Sequence, residues 1–496
     1  MSEYYICIDL GTTKIKCSLI TQKGNILYFS EKEAKTLYKE IIYQDPDAYL
    51  NIVLEEIKNI KSSYPKEFNK INSLIISGQM GGTLGVDENF NVVFPWTYSV
   101  DTKYNEYLFK LENEFGKKIR EYSGGSPTVA AKIIWIKNKF PNKYKKVKKF
   151  INLMSYVACK LCDLSYEQAF IDCSCLTMSG VADIKNQRWN EELCKNFNVD
   201  IEKLPTIKKA NEVIGSIGKN IFDIDKEILV LAGCGDQVAG FIGAGINKKN
   251  DLIDVSGTYT ILGYCSDRYI PDIEFSTLHS IYTGLSDIYY QIAIIAAGGY
   301  TFNWFLNNFK YKNNLILNNE LNKQKEKMYF IPHFGGRYSP SQPYFRGGWI
   351  GITWEHNIYD FYIAMLESFG FEFFYALNII KKINNLSFKN FEKIKVIGGG
   401  SFNDHENEIK SNILNLNYIK LNKLPYELLG GFLIAKYGEK LSQGYKNLVE
   451  ENIIKFEKEY IPLNEKVKYY EGYRDKYGIV IEKMKELYYE INKSTN

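Results

Sequence analysis

The sequence predicts an α/β protein of two domains, and three observations carry that expectation. The chain has 496 residues, more than one ordinary core accommodates. A strand–turn–strand unit occurs twice. Ile8-Asp9-Leu10-Gly11-Thr12-Thr13 stands near the start, and Ile253-Asp254-Val255-Ser256-Gly257-Thr258 near the middle, with one extra residue before its Gly-Thr. A polar stretch, Asn247 to Asp251, precedes the second copy. Two halves that open alike imply a duplicated architecture. The expected domains are 1–246 and 247–440, followed by a charged, Tyr-rich helical appendage at 441–496.

The elements follow from the apolar pattern. Tyr4 to Leu10 is a run of strand formers, Gly11 to Lys14 turns the chain, and Ile15 to Ile20 returns it. A second turn, Thr21 to Asn25, leads into Ile26 to Phe29, which completes a three-stranded antiparallel meander. Asp45-Pro46-Asp47 starts a helix over 46–61, with Leu50, Ile52, Val53, Leu54, Ile57 and Ile60 as its apolar residues. Ser73 to Ser77 is a short buried strand ending at Gly78. In the second half, Leu252 to Ser256 and Ile261 to Cys265 repeat the opening hairpin.

Composition narrows the function classes. Hydrophobic residues make up 45% and charged residues 24%, as in ordinary globular proteins. A formal net charge of +4 is too even to indicate nucleic acid or an anionic membrane as partner. The densest basic run, Lys143 to Lys149, reads as a solvated helix face. The most apolar stretch, Ile292 to Ala297, falls well short of the ~20 residues of a membrane span. No basic-then-apolar leader opens the chain, which points to the cytoplasm. The 9 cysteines read as small core hydrophobes. Cys159, Cys162, Cys173 and Cys175 could together bind zinc, but their spacing and the helical pattern around the first pair favour buried thiols. The His residues are scattered. The 39 Tyr and 29 Phe fill cores or interfaces alike, which leaves a homodimer open.

Several segments carry chemistry. A hairpin ending in Gly-Thr can hold phosphate, because glycine allows close approach and successive N–H groups point at the oxygens. Asp9, at the end of the first strand, can hold Mg²⁺ through water. Gly233-Cys-Gly235-Asp236-Gln237 places a carboxylate between Gly-rich backbone and an apolar helix start. That carboxylate is either a helix cap or a base that accepts a proton from an attacking hydroxyl. Gly298-Gly299 and Gly398-Gly399-Gly400-Ser401 add two Gly-rich turns. The chain has no Gly-x4-Gly-Lys-Ser/Thr loop and no kinase Asp-Phe-Gly. Val238 stands where a dinucleotide fingerprint needs its third glycine.

From about residue 4 to 440, these motifs together resemble the FGGY carbohydrate kinases. Gly347-Gly-Trp-Ile-Gly351 through Asp360 and Ala364 to Glu367 matches the family's C-terminal signature. Asp9-x-Gly-Thr and Ser256-Gly-Thr resemble its phosphate motifs, Gly235-Asp-Gln its catalytic motif, and Gly398-Gly-Gly-Ser its adenosine motif. The resemblance implies two actin-like (ribonuclease H-like) ATPase domains with an interdomain cleft. It implies a cytoplasmic enzyme that uses ATP and Mg²⁺ to phosphorylate a sugar, with no nucleic-acid or membrane partner. Asp236 would be the general base. Gln79, Met80, Gly81, Asp101, Asp236 and Gln237 would meet the sugar. Gly11, Thr12, Thr13, Lys16, Gly257, Thr258, Gly298, Gly299, Gly399, Gly400, Ser401 and Asn403 would meet the nucleotide. Asp172 is a further, partial match near the sugar.

Two departures bear on the substrate. Gln79-Met80-Gly81-Gly82 resembles the xylulokinase Gln-Met-His-Gly, with Gly81 in place of histidine. Asp101-Thr-Lys103 resembles Asp-x-Arg, and lysine gives up the planar bidentate fork of arginine. Asp101 also reads as a turn carboxylate, and Met80 as core packing. The expected substrate is therefore a pentulose or hexulose near to, but distinct from, D-xylulose. A gluconate or polyol kinase of the same family, and a non-catalytic sugar or ATP sensor on the same fold, are the alternatives.

Overall fold

Strand β1 (Tyr4–Leu10) pairs antiparallel with β2 (Lys14–Thr21), and β2 with β3 (Ile26–Glu33), giving the expected meander. The structure, a computed structural model, describes residues 3–97, 102–217, 222, 227–309 and 326–493. The other edge of β1 pairs parallel with β4 (Ile71–Gly78). Beyond it lie β5 (Val213–Ile217) and β6 (Ile228–Gly235), in the order β5-β6-β4-β1-β2-β3. β4 and β6 run parallel. Residues 5–10 are all buried, as a central strand covered on both faces requires. Helix α1 (Pro46–Ser63), with Asp45 accepting from the Asp47 N–H, lays Tyr49, Val53, Ile57 and Ile60 on this core.

The second half repeats the plan. Its strands are β7 (Leu252–Ser256), β8 (Thr260–Ser266), β9 (His279–Tyr282), β10 (Tyr289–Ile295), β11 (Lys393–Ile397), β12 (Asn417–Leu421) and β13 (Phe456–Tyr460). They lie in the order β9-β10-β8-β7-β11-β12-β13. Like β1, β7 has an antiparallel hairpin partner on one side and a parallel strand on the other. The duplication read from two short sequence segments thus extends to strand order and direction. A smaller sheet of strands 36–38, 42–44, 83–86, 92–97 and 149–151 has its own core around Phe94, Trp135 and Phe150. The basic run is divided between a short helix, Pro141–Lys146, and the strand opened by Lys149.

Seven more helices matter here: α2 (Asp236–Gly243), α3 (Gly299–Asn308), α4 (Ile358–Asn384), α5 (Asp404–Leu414), α6 (Tyr426–Tyr437), α7 (Leu441–Glu450) and α8 (Asn464–Lys493). α2 and α6 cross with their backbones in contact: a Cβ on Gly430 would sit 1.8 Å from Ala239 O. Each helix serves the sheet of the other half. Phe432 of α6 packs on Tyr5 of β1, and Phe241 of α2 on Tyr290 of β10. The result is a third apolar core shared by both sheets.

Two expectations are corrected. The expectation that no segment has the length and apolarity of a membrane span fails at α4. It is long and apolar enough to cross a membrane, yet 83% of its most apolar window is buried, as in a core helix. Its first turn is fixed by a capping box between Asn357 and Asp360, which gives the signature's Asp360 a structural role. The segment 441–496 is not a helical appendage either. It supplies edge strand β13, paired with β12, and α8 buries Tyr470, Tyr477 and Ile481 in the second core. Tyr477 OH donates 2.8 Å to the buried Glu372, which also pairs with Arg337 and His333.

Candidate functional site

Register brings the first half of the site together. Leu10 of β1 lies opposite Gly78 of β4, and Gly78 opposite Gly235 of β6. Residues after these positions therefore emerge side by side at the carboxyl edge of the sheet, where open α/β sheets bind ligands. They are the turn at Gly11, the segment from Gln79, and Asp236 at the first position of α2.

Asp9 is 3% exposed, and its Oδ1 has no hydrogen-bond partner among the described residues. Its Oδ2 lies 3.5 Å from Lys16 Nζ, which lies 3.3 Å from Glu427 Oε2 at the start of α6. Burial pushes the Asp9 carboxyl up, Glu427 and Asp236 add to the rise, and Lys16 opposes it. Burial works against the charge of Lys16, but Glu427 and Asp9 more than offset it and raise its pKa. Asp236 Oδ1 accepts the Gln237 N–H at 2.7 Å. Burial, opposed by that N–H and reinforced by Glu427, pushes Asp236 up to about 7. Four charged groups from distant parts of the chain thus converge: Asp9, Lys16, Asp236 and Glu427.

The duplicated aspartate makes an informative contrast. Asp254 occupies in β7 the place of Asp9 in β1. Its Oδ1 accepts from Ser256 Oγ at 2.8 Å, and its Oδ2 pairs with the buried Lys410 at 2.8 Å. Both oxygens of Asp254 are satisfied, whereas Asp9 keeps one open. The donor set of Asp9, with Asp236 and Glu427 near, suits a hard cation held by few protein oxygens and completed by water or phosphate. No group of three or more His, Cys, Asp or Glu among the described residues is arranged to cage a metal.

The expected sugar-side residues divide. Met80 is half-buried beside Gly235, and Gln237 follows Asp236 at the same edge. Gly81 has φ +74°, and a Cβ there would lie 2.6 Å from Met178 Cε, so a thioether fills the space over it. The Gly81 carbonyl accepts from the buried Lys132 at 2.8 Å. The Gln79 amide is turned inward to Gln44, Tyr49 and Thr12. Asp101 lies outside the described residues. Asp172 is buried and structural. It accepts from Ser174, Cys175 and Asn152, and Ser174 Oγ in turn accepts the Gly235 N–H at 2.8 Å. This chain of bonds fixes the backbone one residue before Asp236.

The second half supplies a cavity of about 560 Å³. Gly257, Gly298, Gly299, Gly399, Gly400 and Asn403 all line it, with Phe302, Tyr362 and Phe402 as aromatic walls. Strands β7 and β11 are paired up to Val255 and Ile397, which sets their glycine turns side by side. The Gly299 N–H donates to Gly257 O at 3.0 Å, tying in the start of α3. Thr258 is exposed at the tip of its turn. Ser401 does not face the cavity: it is buried and donates 2.6 Å to Gly398 O. Flat apolar walls beside open backbone suit a purine and ribose.

Sequence reading missed Glu427, the inward network around Gln79, and the pairing of Lys410 with Asp254. Lys16 and Glu427 are 411 positions apart, and no local pattern links them. All four cysteines of the zinc alternative are free thiols, three of them buried.

Comparison with known proteins agrees with this geometry. Residues 4–243 match the N-terminal domain of the FGGY family of carbohydrate kinases, and residues 254–438 match its C-terminal domain. A xylulose kinase of Staphylococcus epidermidis is 24% identical over 513 aligned positions, covering 100% of both chains. In fold, a xylulose kinase of Rhodospirillum rubrum superposes with a TM-score of 0.87 at 15% identity, covering 98% of this chain and 99% of that one. A gluconate kinase of Lactobacillus acidophilus gives 0.82 at 20% identity, covering 100% and 98%. The chain belongs to the FGGY family of carbohydrate kinases, and it is an ATP-dependent sugar phosphotransferase.

Proposed function

We propose that the acceptor is a ketose of the pentulose or hexulose class, distinct from D-xylulose, and that Asp236 is the general base. The observation that carries the assignment of the base is Asp236 itself. It is a half-buried carboxylate raised to about 7, at a helix start, beside Asp9, Lys16 and Glu427. A carboxylate poised near neutral pH is matched to proton abstraction from a hydroxyl.

In this reading Asp236 orients the sugar hydroxyl and accepts its proton as the oxygen attacks the γ-phosphorus of ATP. The bond to the β-phosphate oxygen breaks, and its electron pair leaves with ADP. Lys16 and the N–H groups of the Gly11–Thr13 turn neutralise charge on the transferring group. Gly257, Gly298, Gly299, Gly399, Gly400 and Asn403, which line the second-half cavity, hold the rest of the nucleotide. Asp9 would hold Mg²⁺, which would supply charge neutralisation to the phosphate oxygens. Nine free cysteines suit a reducing cytoplasm.

The substrate class rests on the xylulose kinases among the relatives, modified at Gly81. There the Met178 methyl occupies the space over the backbone, so a hydrogen-bonding imidazole has given way to an apolar wall. A site that lacks one polar partner discriminates against the sugar that needs it. The test is ADP release by the purified chain with Mg-ATP and a panel of D-xylulose, L-xylulose, D- and L-ribulose, hexuloses, gluconate, glycerol and erythritol. A pentulose or hexulose other than D-xylulose should give the highest kcat/KM. D-xylulose as best substrate removes the distinction, and gluconate as best moves the chain to that branch. ATP binding without turnover on any of them marks a sensor.

A further inference from the structure

We propose that Gln44, Tyr49 and Gln79 form an orienting set that aims the N–H groups of the Gly11–Thr13 turn at phosphate. The proposal rests on the reading of that turn as phosphate-binding, and it makes Gln79 a positioning residue instead of a sugar contact.

The bonds run in one direction. Tyr49 OH donates to Gly11 O at 3.1 Å. Gln44 Nε2 donates to Thr12 O at 2.7 Å. Gln79 Nε2 then donates to both braces, to Gln44 Oε1 at 2.7 Å and to Tyr49 OH at 3.3 Å. Thr12 Oγ1 closes the ring by donating to Gln79 Oε1 at 3.4 Å. Gln44, Tyr49 and Gln79 are 0%, 2% and 3% exposed. Two buried side chains, Tyr49 of α1 and Gln44 of the short strand before it, therefore hold two consecutive carbonyls, and Gln79, the residue after β4, braces both.

A trans peptide is planar, and its C=O and N–H point in opposite directions. Pinning Gly11 O fixes the direction of the Thr12 N–H, and pinning Thr12 O fixes that of the Thr13 N–H. The pins come from the buried side, while Thr12 is partly exposed and Thr13 exposed. The two N–H groups are thereby turned to the open side, next to Asp9 and Lys16. Consecutive N–H groups held that way form an anion-binding concavity. Without the pins the planes can rotate, and the cradle must be re-formed each time phosphate binds.

The experiment compares Mg-ATP with adenosine by titration calorimetry on the full chain. Adenosine engages the second-half cavity but has no phosphate. Gln44→Leu and Tyr49→Phe should each lower ATP affinity by about tenfold, the scale of one buried hydrogen bond, and leave adenosine affinity unchanged. Tyr49→Phe removes a single oxygen, so it keeps the test available if the larger change does not fold. Equal loss for ATP and adenosine, or no loss for either, overturns the proposal. Thr12→Pro, which deletes one N–H, separates the orienting set from the phosphate-binding turn. If it lowers the ATP-to-adenosine ratio while the other variants do not, only the orienting set fails. If it leaves the ratio unchanged, the phosphate reading of the turn fails, and the proposal with it.

Discussion

Asp236 and Asp9 carry the same side chain in different surroundings, and the surroundings decide what each can do. Burial and the nearby Glu427 hold Asp236 near about 7. In the proposed role of base it acts only when ionised, so kcat/KM should rise with pH and level off above about 7, falling about tenfold per pH unit below it. A flat profile between pH 5 and 8 would contradict the assignment. Asp9 and Asp254 give a second contrast. Asp9→Asn should abolish most activity with little change in melting temperature, because its open oxygen serves a ligand. Asp254→Asn should act through stability, since it leaves the buried Lys410 with Glu406 in place of two carboxylates; the loss should stay below the about 3–5 kcal/mol of a buried charge left with no partner. Thermal melts and rates of the two variants separate these outcomes. Asp236 was legible in the sequence because its motif is contiguous. Glu427 was not, since its partner Lys16 lies in the other half of the chain, and a Glu in the first turn of a helix already has a sufficient local reason to be there. Ser401 shows the opposite error: it belongs to the right motif, but its hydroxyl closes the turn from within.

At the scale of elements, the crossing of α2 and α6 joins the site. α2 begins with Asp236, and α6 carries Glu427 in its first turn. Gly430 permits the crossing, because any Cβ there meets the Ala239 carbonyl at 1.8 Å. Gly430→Ala should therefore push the helices apart, with a loss of about 1–3 kcal/mol measurable in urea unfolding. The same change should reduce kcat, because Lys16 loses its register with Glu427. Wild-type stability and rate would show that the helices can part at no cost. The opening meander, α1 and the hairpin of β7 and β8 were legible from alternating or helical apolar spacing. The role of α4 was not: its apolar residues surround the helix, so no face stands out. β13 was hidden for another reason. Its sequence, Phe456-Glu-Lys-Glu-Tyr460, is mostly charged, as an exposed edge strand needs to be, and reads as part of a polar helix.

Over the whole molecule, the two sheets share the apolar core around α2 and α6. Sequence halves and folding units therefore do not coincide: the last helix of the first half packs on the second sheet, and α6 on the first. Such continuity predicts one cooperative heat-absorption peak in calorimetry, not two. Two separated peaks would mean that each sheet folds with its own helices and that the shared core is weak. The twofold plan itself could be read from a short repeated segment, since both copies carry an aspartate strand that runs into a Gly-Thr turn. Helix exchange between the halves left no such trace, because small residues at a crossing look like any other Gly-rich helix.

The most direct test of the account is sugar-dependent ADP release by Asp236→Asn beside the wild-type chain, using the best sugar of the panel. The variant should lose about 10²–10⁴-fold in kcat, with ATP affinity and melting temperature kept within error, because the amide preserves shape but cannot take the proton. Wild-type turnover in that variant would contradict it and send the search for the base to another residue of the cleft.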